Sequence, residues 1–403
     1  MGRTASLLHH FFRKTYRLRG TLELHRTNQH IIEMKSCLKF SALVMCAACL
    51  LCCTRTSDGK QIGTGNKYAR GFSLTGKNGY TEAVIYNPWR DSCVMQRFFL
   101  VKDLAVTTPS DGIRLQVPLQ SVATTSCTQI GFLAALNSLP SVKGIASPEL
   151  LYTPLPHSDW INIGDAMQPQ LERIMLAKPE VIFLTAYQDQ DKLQSVFSGH
   201  NIIPVYINEW TEQHPLARAE WIRFFGTLLG QSTTADSIFR SVEQQYLHLA
   251  DSVKKHLSKG STILTGSDFR GTWYMPTGNT YMGTFFSDAG ADYYYQNRTE
   301  NKSLPLSEEE VLLHFKDAKV WVGCNARSLD ELAQIDSKHT FFQAYQTGQV
   351  FNFSKRSTPT GGNDFWETGV IHPELILSDL INICHSDNSC IPADKLYFSE
   401  QLQ

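Results

Sequence analysis

Two loops of this 403-residue chain gather side chains suited to holding a ligand. The stretch Gly361-Gly362-Asn363-Asp364-Phe365-Trp366-Glu367 sets aromatic faces beside a carboxamide and two carboxylates. Opening on two glycines makes it costly to order without a purpose. The stretch Arg270-Gly271-Thr272-Trp273-Tyr274 follows the strand-like run Ser261–Gly266, and Tyr281 follows Asn279 at the start of the next helix. A third stretch, Ala123-Thr124-Thr125-Ser126-Cys127-Thr128, leads into a helical pattern. Thr124, Thr125 and Ser126, with the free N–H groups of a first helical turn, suit an anionic edge, and a plain capping turn is the rival reading. Stacking, hydrogen bonding and anion contact are the chemistry on offer. The chain has no G-x-S-x-G elbow, Walker A loop or H-E-x-x-H pair. Asp364 and Glu367 are carboxylates of the general kind a retaining glycosidase needs, but no other feature supports a hydrolase.

Five of the ten cysteines crowd into Met34–Lys60: Cys37, Cys46, Cys49, Cys52 and Cys53. No acidic residue or histidine stands among them, which argues against a metal site. The apolar run Phe40–Cys53 is shorter than the ~20 residues a membrane span needs. A basic head (Lys35, Lys39), an apolar middle and a small-residue exit have the anatomy of a secretory signal peptide. Its end resembles a bacterial lipobox, with Cys53 the expected lipid-bearing residue and Cys49 or Cys52 the alternatives. The natural start is then expected at Met34. Residues 1–33 read as an upstream extension, 34–53 as the signal and 54–69 as a tether. Beyond them, Cys384 and Cys390 bracket a short loop, and either a disulfide or two buried thiols fits. Net charge is −1, and no basic block suggests nucleic acid.

The elements that position these loops read as follows. Short β runs between 70 and 118 predict an antiparallel segment, with Trp89 closing the run Ala83–Trp89 and a turn around Arg90-Asp91-Ser92 leading to the next. From 119 to 215, helical patterns alternate with short strands (opening at Leu119, then Ser141–Ala146, Val181–Leu184 and Ile202–Ile207), which implies parallel βαβ units. One helix is expected over the stretch ending at Lys178, with Leu171, Ile174 and Met175 on its apolar face. Residues 257–390 repeat the plan: Ser307 caps a helix that runs to Lys316 and a strand follows. A connector of one or two helices joins the halves over 216–256, and 391–403 is a tail. The fold class is α/β, with two Rossmann-like lobes, a long connector and an N-terminal antiparallel β segment.

The stretches VATTSCTQIGFLAALN, IGDAMQPQLERIMLAKPEVIF, PLARAEWIRFFGTLLG, WYMPTGNTYMGTFFSDAGADY, LPLSEEEVL and GGNDFWETGVIHPELILSDLI, in this order, resemble the helix-linked class of periplasmic substrate-binding lipoproteins. That class serves ABC importers of ferric siderophores, haem or cobalamin. The resemblance covers roughly 119–385. It implies a metal chelate held between the lobes and no cofactor. A permease partner, a lipid anchor at a bacterial membrane and a monomer are also implied. Cleft-facing residues expected on this basis are Thr124, Thr125, Ser126, Trp89, Arg270, Trp273, Tyr274, Tyr281, Lys355, Arg356, Asn363 and Trp366. Core packing is the rival for Trp273 and Trp366. His157 is a weaker candidate, and Glu149 is the candidate for permease contact. A haem-handling lipoprotein is the nearest alternative.

Overall fold

The computed structural model describes residues 65–187, 197, 200, 202–386 and 392–403. The expected upstream extension, the expected signal with Cys53, and Cys390 lie outside the described residues.

The chain begins with a four-stranded sheet in the order β1-β2-β3-β4 (β1 Phe72–Gly76, β2 Tyr80–Tyr86, β3 Val94–Val101, β4 Ile113–Gln116). The first three strands pair antiparallel, with Phe72 opposite Ile85. β4 instead runs parallel to β3, Phe98 opposite Ile113. This corrects the expectation of a wholly antiparallel segment. The connection over 102–112 is long enough to carry the chain back to the same end, where a tight turn would have reversed it.

A five-stranded parallel sheet follows, in the order β11-β10-β5-β6-β7. Its strands are β5 Val122–Thr124, β6 Val142–Ile145, β7 Ile161–Asn162, β10 Val181–Leu184 and β11 Ile203–Tyr206. β5, β10 and the end of β11 are buried on both faces, as parallel strands covered by helices must be. Helix α1 (Cys127–Ala135) leaves β5 through a capping box, Ser126 with Gln129. A two-residue hairpin pairs β8 Gly164–Asp165 with β9 Gln168–Pro169, and β9 takes the first residues of the stretch expected to be helical. Helix α2 therefore spans only Leu171–Ala177 and buries Ile174 alone, while Met175 is exposed.

The connector is three helices: α3 Pro215–Glu220, α4 Ile222–Leu228 and α5 Ser232–His256. Gly230, at φ 70°, turns the chain between the last two, a conformation that favours glycine. α5 buries Ala235, Phe239, Val242, Tyr246, Ala250 and Val253, the three–four spacing of one helical stripe. Its 25 residues span about 37 Å at 1.5 Å each.

The second lobe is a sheet ordered β12-β16-β17-β18 (β12 Ile263–Thr265, β16 Val320–Val322, β17 Val350–Asn352, β18 Glu400–Gln401). β18 runs antiparallel to β17 and comes from the expected tail. The buried Asp379 carboxylate draws it in by accepting the N–H groups of Tyr397, Phe398 and Ser399. A small sheet, β13 Asp268–Phe269, β14 Thr272–Met275 and β15 Leu304–Leu306, stands beside it. Helices α6 (Tyr281–Asp288), α7 (Glu308–Phe315), α8 (Leu329–Ile335), α9 (Gln343–Gln346), α10 (Thr368–Ile371) and α11 (Pro373–Cys384) complete the lobe. α11 packs along α5, and one apolar core runs from Phe72 through Trp221 and Phe225 to Trp321.

Candidate ligand-binding cleft

Ligands of parallel α/β sheets bind beyond the carboxyl ends of the strands. Here the loops past those ends in the two lobes meet. Tyr152 lies on the chain between β6 and β7, and Arg356 follows β17. The Arg356 guanidinium lies 5.2 Å over the Tyr152 ring and 4.6 Å over the Tyr397 ring. Its Nε donates to Asp364 at 2.6 Å. Glu367, wholly buried, accepts the N–H groups of Tyr152 (2.5 Å) and Thr153 (3.0 Å) across the same junction. Burial pushes its carboxyl above the usual carboxylate range, against the pull of these two donors.

Deeper in, four side chains from four elements converge. Glu209 sits in the turn after β11, Thr128 in the first turn of α1, Arg218 in α3 and Tyr281 at the start of α6. Thr128 Oγ1 donates to Glu209 Oε1 at 2.9 Å, and the Arg218 guanidinium is 3.6 Å from the same oxygen. The guanidinium carbon also lies 4.6 Å over the Tyr281 ring. Arg218 is 7% exposed and Glu209 2%, yet Arg218 Nε and Glu209 Oε2 have no hydrogen-bond partner among the described residues. Burial raises the Glu209 carboxyl, with Arg218 and Thr128 opposing it. A buried donor and acceptor left unmatched together are costly, and an oxygen-rich anionic ligand edge would satisfy the donor. Tyr187 and Trp210 stand 6.0 Å apart on the first-lobe side, both exposed, and the Trp210 indole N–H holds Ala186 O at 3.2 Å.

The residues named from the sequence divide into three groups. Tyr281, Arg356 and Trp366 lie at the junction, and Trp366 is 49% exposed with its ring edge-on to Phe365 at 4.7 Å. Arg270 and Trp89 are exposed on loops and Tyr274 is exposed on β14, Arg270 with φ 54° and its guanidinium 5.2 Å over Phe269. The remainder hold structure. Thr125 Oγ1 donates to Phe183 O at 3.0 Å, tying β5 to β10, and Ser126 is the helix cap. Thr124 is fully buried. Lys355 Nζ donates to Leu396 O. Asn363 pins its own loop, donating to Phe353 O at 2.8 Å and accepting from Phe365 N at 2.9 Å. Trp273 is fully buried and donates its indole N–H to Thr265 O at 2.8 Å. Its ring meets Trp321, His339 and Phe342, so the core reading holds for it. The reason is strand alternation: Tyr274 points out from β14 while Trp273 and Met275 point in. His157 is held by Leu139 O and Asp159. Cys384 is a buried free thiol, pushed up to about 12 by desolvation.

Sequence reasoning missed Arg218, Glu209, Tyr152, Tyr397, Tyr187 and Trp210. A signal for Arg218 existed. It lies in a six-residue helix that begins on proline and carries two charges among apolar residues, and every residue of it is buried.

Two α/β lobes bridged by a long helix, with a polar floor where they meet, define a solute-binding fold. The chain belongs to the periplasmic binding protein family, which matches residues 122–356, over half its length. It is 25% identical over 286 residues to an uncharacterized lipoprotein of Methanocaldococcus jannaschii, covering 68% of this chain and 67% of that protein. Its fold is shared with the apo periplasmic haem-binding protein RhuT of Roseiflexus sp. RS-1, at TM-score 0.52 and 15% identity, over 67% of this chain and all (100%) of that one. A possible iron-binding (periplasmic solute-binding) protein of Staphylococcus epidermidis matches at TM-score 0.50 and 14% identity, over 67% of this chain and 100% of that one.

Proposed function

We propose that this is a lipid-anchored, extracytoplasmic binding protein. It captures a metal chelate, a ferric siderophore, corrinoid or haem, between its lobes and passes it to an ABC permease. The observation that carries the reading is the buried, incompletely paired Arg218–Glu209 couple between the lobes, with the Tyr281 ring under the guanidinium and the exposed pair Trp210 and Tyr187 on the Glu209 side. A charged donor set beside stacking faces suits a chelate that is polar at its oxygens and flat elsewhere. The haem-binding and iron-binding names of proteins sharing the fold, and the lipoprotein name of the relative, point the same way. Glu149, exposed on the first lobe, is the candidate for permease contact. A carboxylate hydrolase fits poorly, because Asp364 is committed to Arg356 and Glu367 to backbone N–H groups. The test is titration of the purified protein with haemin, cyanocobalamin and a ferric siderophore, read by tryptophan quenching and visible absorption. Saturable binding of at least one is expected, and binding of none overturns the ligand class.

A further inference from the structure

The first connector helix, α3, begins on a histidine whose ring is its cap. His214 precedes Pro215, and its Nδ1 accepts the N–H of Leu216 at 3.0 Å. Its carbonyl accepts the next two, from Ala217 at 2.9 Å and Arg218 at 3.3 Å. Pro215 has no N–H to place, so His214 serves every N–H of the first turn, 216 to 218. Leu216 is fully buried, so its N–H has little water to turn to if the ring withdraws. An accepting Nδ1 means a neutral imidazole with its hydrogen on Nε2. The ring is held between two tyrosines, stacked on Tyr68 at 5.3 Å and tilted against Tyr246 at 5.9 Å. The groups facing it are thus Tyr68 of the N-terminal segment, Tyr246 of α5 and, beyond Tyr246, Asp288 of α6, which accepts the Tyr246 hydroxyl at 2.8 Å. Behind these, Glu243 accepts from Tyr68 and Lys67, and Lys254 stands 4.0 Å from Asp288. Burial makes the ring harder to protonate, and the Asp288 charge opposes this.

We propose that His214 is a pH-sensitive cap: protonation of its ring in acid releases α3, and with α3 the Arg218–Glu209 floor of the cleft. A proton taken from solvent onto Nδ1 removes the acceptor and sets two N–H groups against each other. It also adds a positive charge at the positive end of the helix. α3 carries more than itself. Arg218 lies four residues past the cap, and its guanidinium meets Glu209 and Tyr281. Glu220, at the far end, takes the N–H groups of Lys67, Tyr68 and Ala69, so the ring that stacks on His214 is held through the same helix. A base buried in its neutral form stabilises the fold above the ordinary histidine range. That contribution is lost as pH falls below this range and through the lowered native value. The device needs no particular ligand and stands apart from the chelate reading.

The experiment compares the wild type with His214→Asn, which keeps a capping side chain that does not titrate. Amide hydrogen exchange of both proteins is followed by mass spectrometry, from about one pH unit above the ordinary histidine value (~6.5) to about two below it. Comparing the two at each pH cancels the intrinsic exchange rate and the carboxylates that titrate elsewhere. At the upper end they are expected to exchange alike over 215–222 and over the Glu209 turn, 207–213. At the lower end the wild type is expected to exchange roughly tenfold faster in both segments, as local opening of α3 requires. Equal exchange at every pH overturns the switch. Faster exchange confined to 215–222 overturns the release of the floor. Nitrogen NMR of histidine-labelled wild type gives a second reading, with the His214 signal assigned by its absence from the variant. A bare Nδ1 is expected above the histidine range, and an Nδ1 that already carries hydrogen there overturns the cap.

Discussion

Two tryptophans that look alike in the sequence separate by burial. Trp273 is fully buried with its indole N–H satisfied, while Trp366 is 49% exposed at the lobe junction. Trp273→Ala opens a cavity in the second-lobe core and is expected to cost about 3–5 kcal/mol of stability. Trp366→Ala is expected to leave the thermal midpoint near wild type and to weaken chelate binding roughly tenfold (~1.4 kcal/mol). Thermal unfolding and titration of the two variants check both. A Trp366→Ala protein that unfolds would return that residue to the core. Both tryptophans were legible as members of loops flanked by glycine. Which face each took was not, because a short strand such as β14 has too little alternation to set its own phase.

At the scale of elements, the lobes are joined more tightly than hinge-like loops would require. A Cβ built on Gly131 of α1 would stand 2.4 Å from Glu367 O, with the Glu367 carbonyl carbon at 2.8 Å. Both neighbours are backbone and cannot swing aside. Glycine to alanine within a helix ordinarily stabilises by about 1 kcal/mol. Gly131→Ala should do the reverse, lowering stability by roughly 1–3 kcal/mol because α1 and the Glu367 segment must move apart. Thermal or urea unfolding checks the sign, and a stabilised variant would mean that the junction is loose. The apolar strand runs and the Ser126 and Ser307 caps were readable because period and capping chemistry are local. The β8–β9 hairpin and the parallel β4 were not, since pairing partners at that range are chosen by the fold.

Over the whole molecule, buried carboxylates fasten distant backbone. Glu220 takes the N–H groups of Lys67, Tyr68 and Ala69, and Glu212 those of Arg70 and Gly71. Glu367 and Asp379 do the same elsewhere. Desolvation pushes Glu209, Glu212, Glu367 and Asp379 above the usual carboxylate range. A carboxyl raised on folding binds its proton more tightly in the native state. Stability from these groups is thus present below the ordinary carboxylate range and declines as pH rises through the raised values. Glu300, held down to about 2 by Arg298, acts oppositely, and its contribution is lost only in stronger acid. The thermal midpoint is therefore expected to fall as pH rises upward from the ordinary carboxylate range. A midpoint that falls on acidification would show that the N–H donors outweigh burial.

By itself the sequence determined the α/β class, the long connector and the loops in which ligand contacts were to be sought, since periodicity, caps and turn chemistry act over a few residues. Only the tertiary structure decided which residues of those loops are available. It sent Trp273 inward, set Asn363 and Ser126 to structural tasks, and brought Arg218, Glu209, Thr128 and Tyr281 to one point from four separate elements. Their convergence depends on how two lobes pack across α3, and no spacing along the chain encodes that distance.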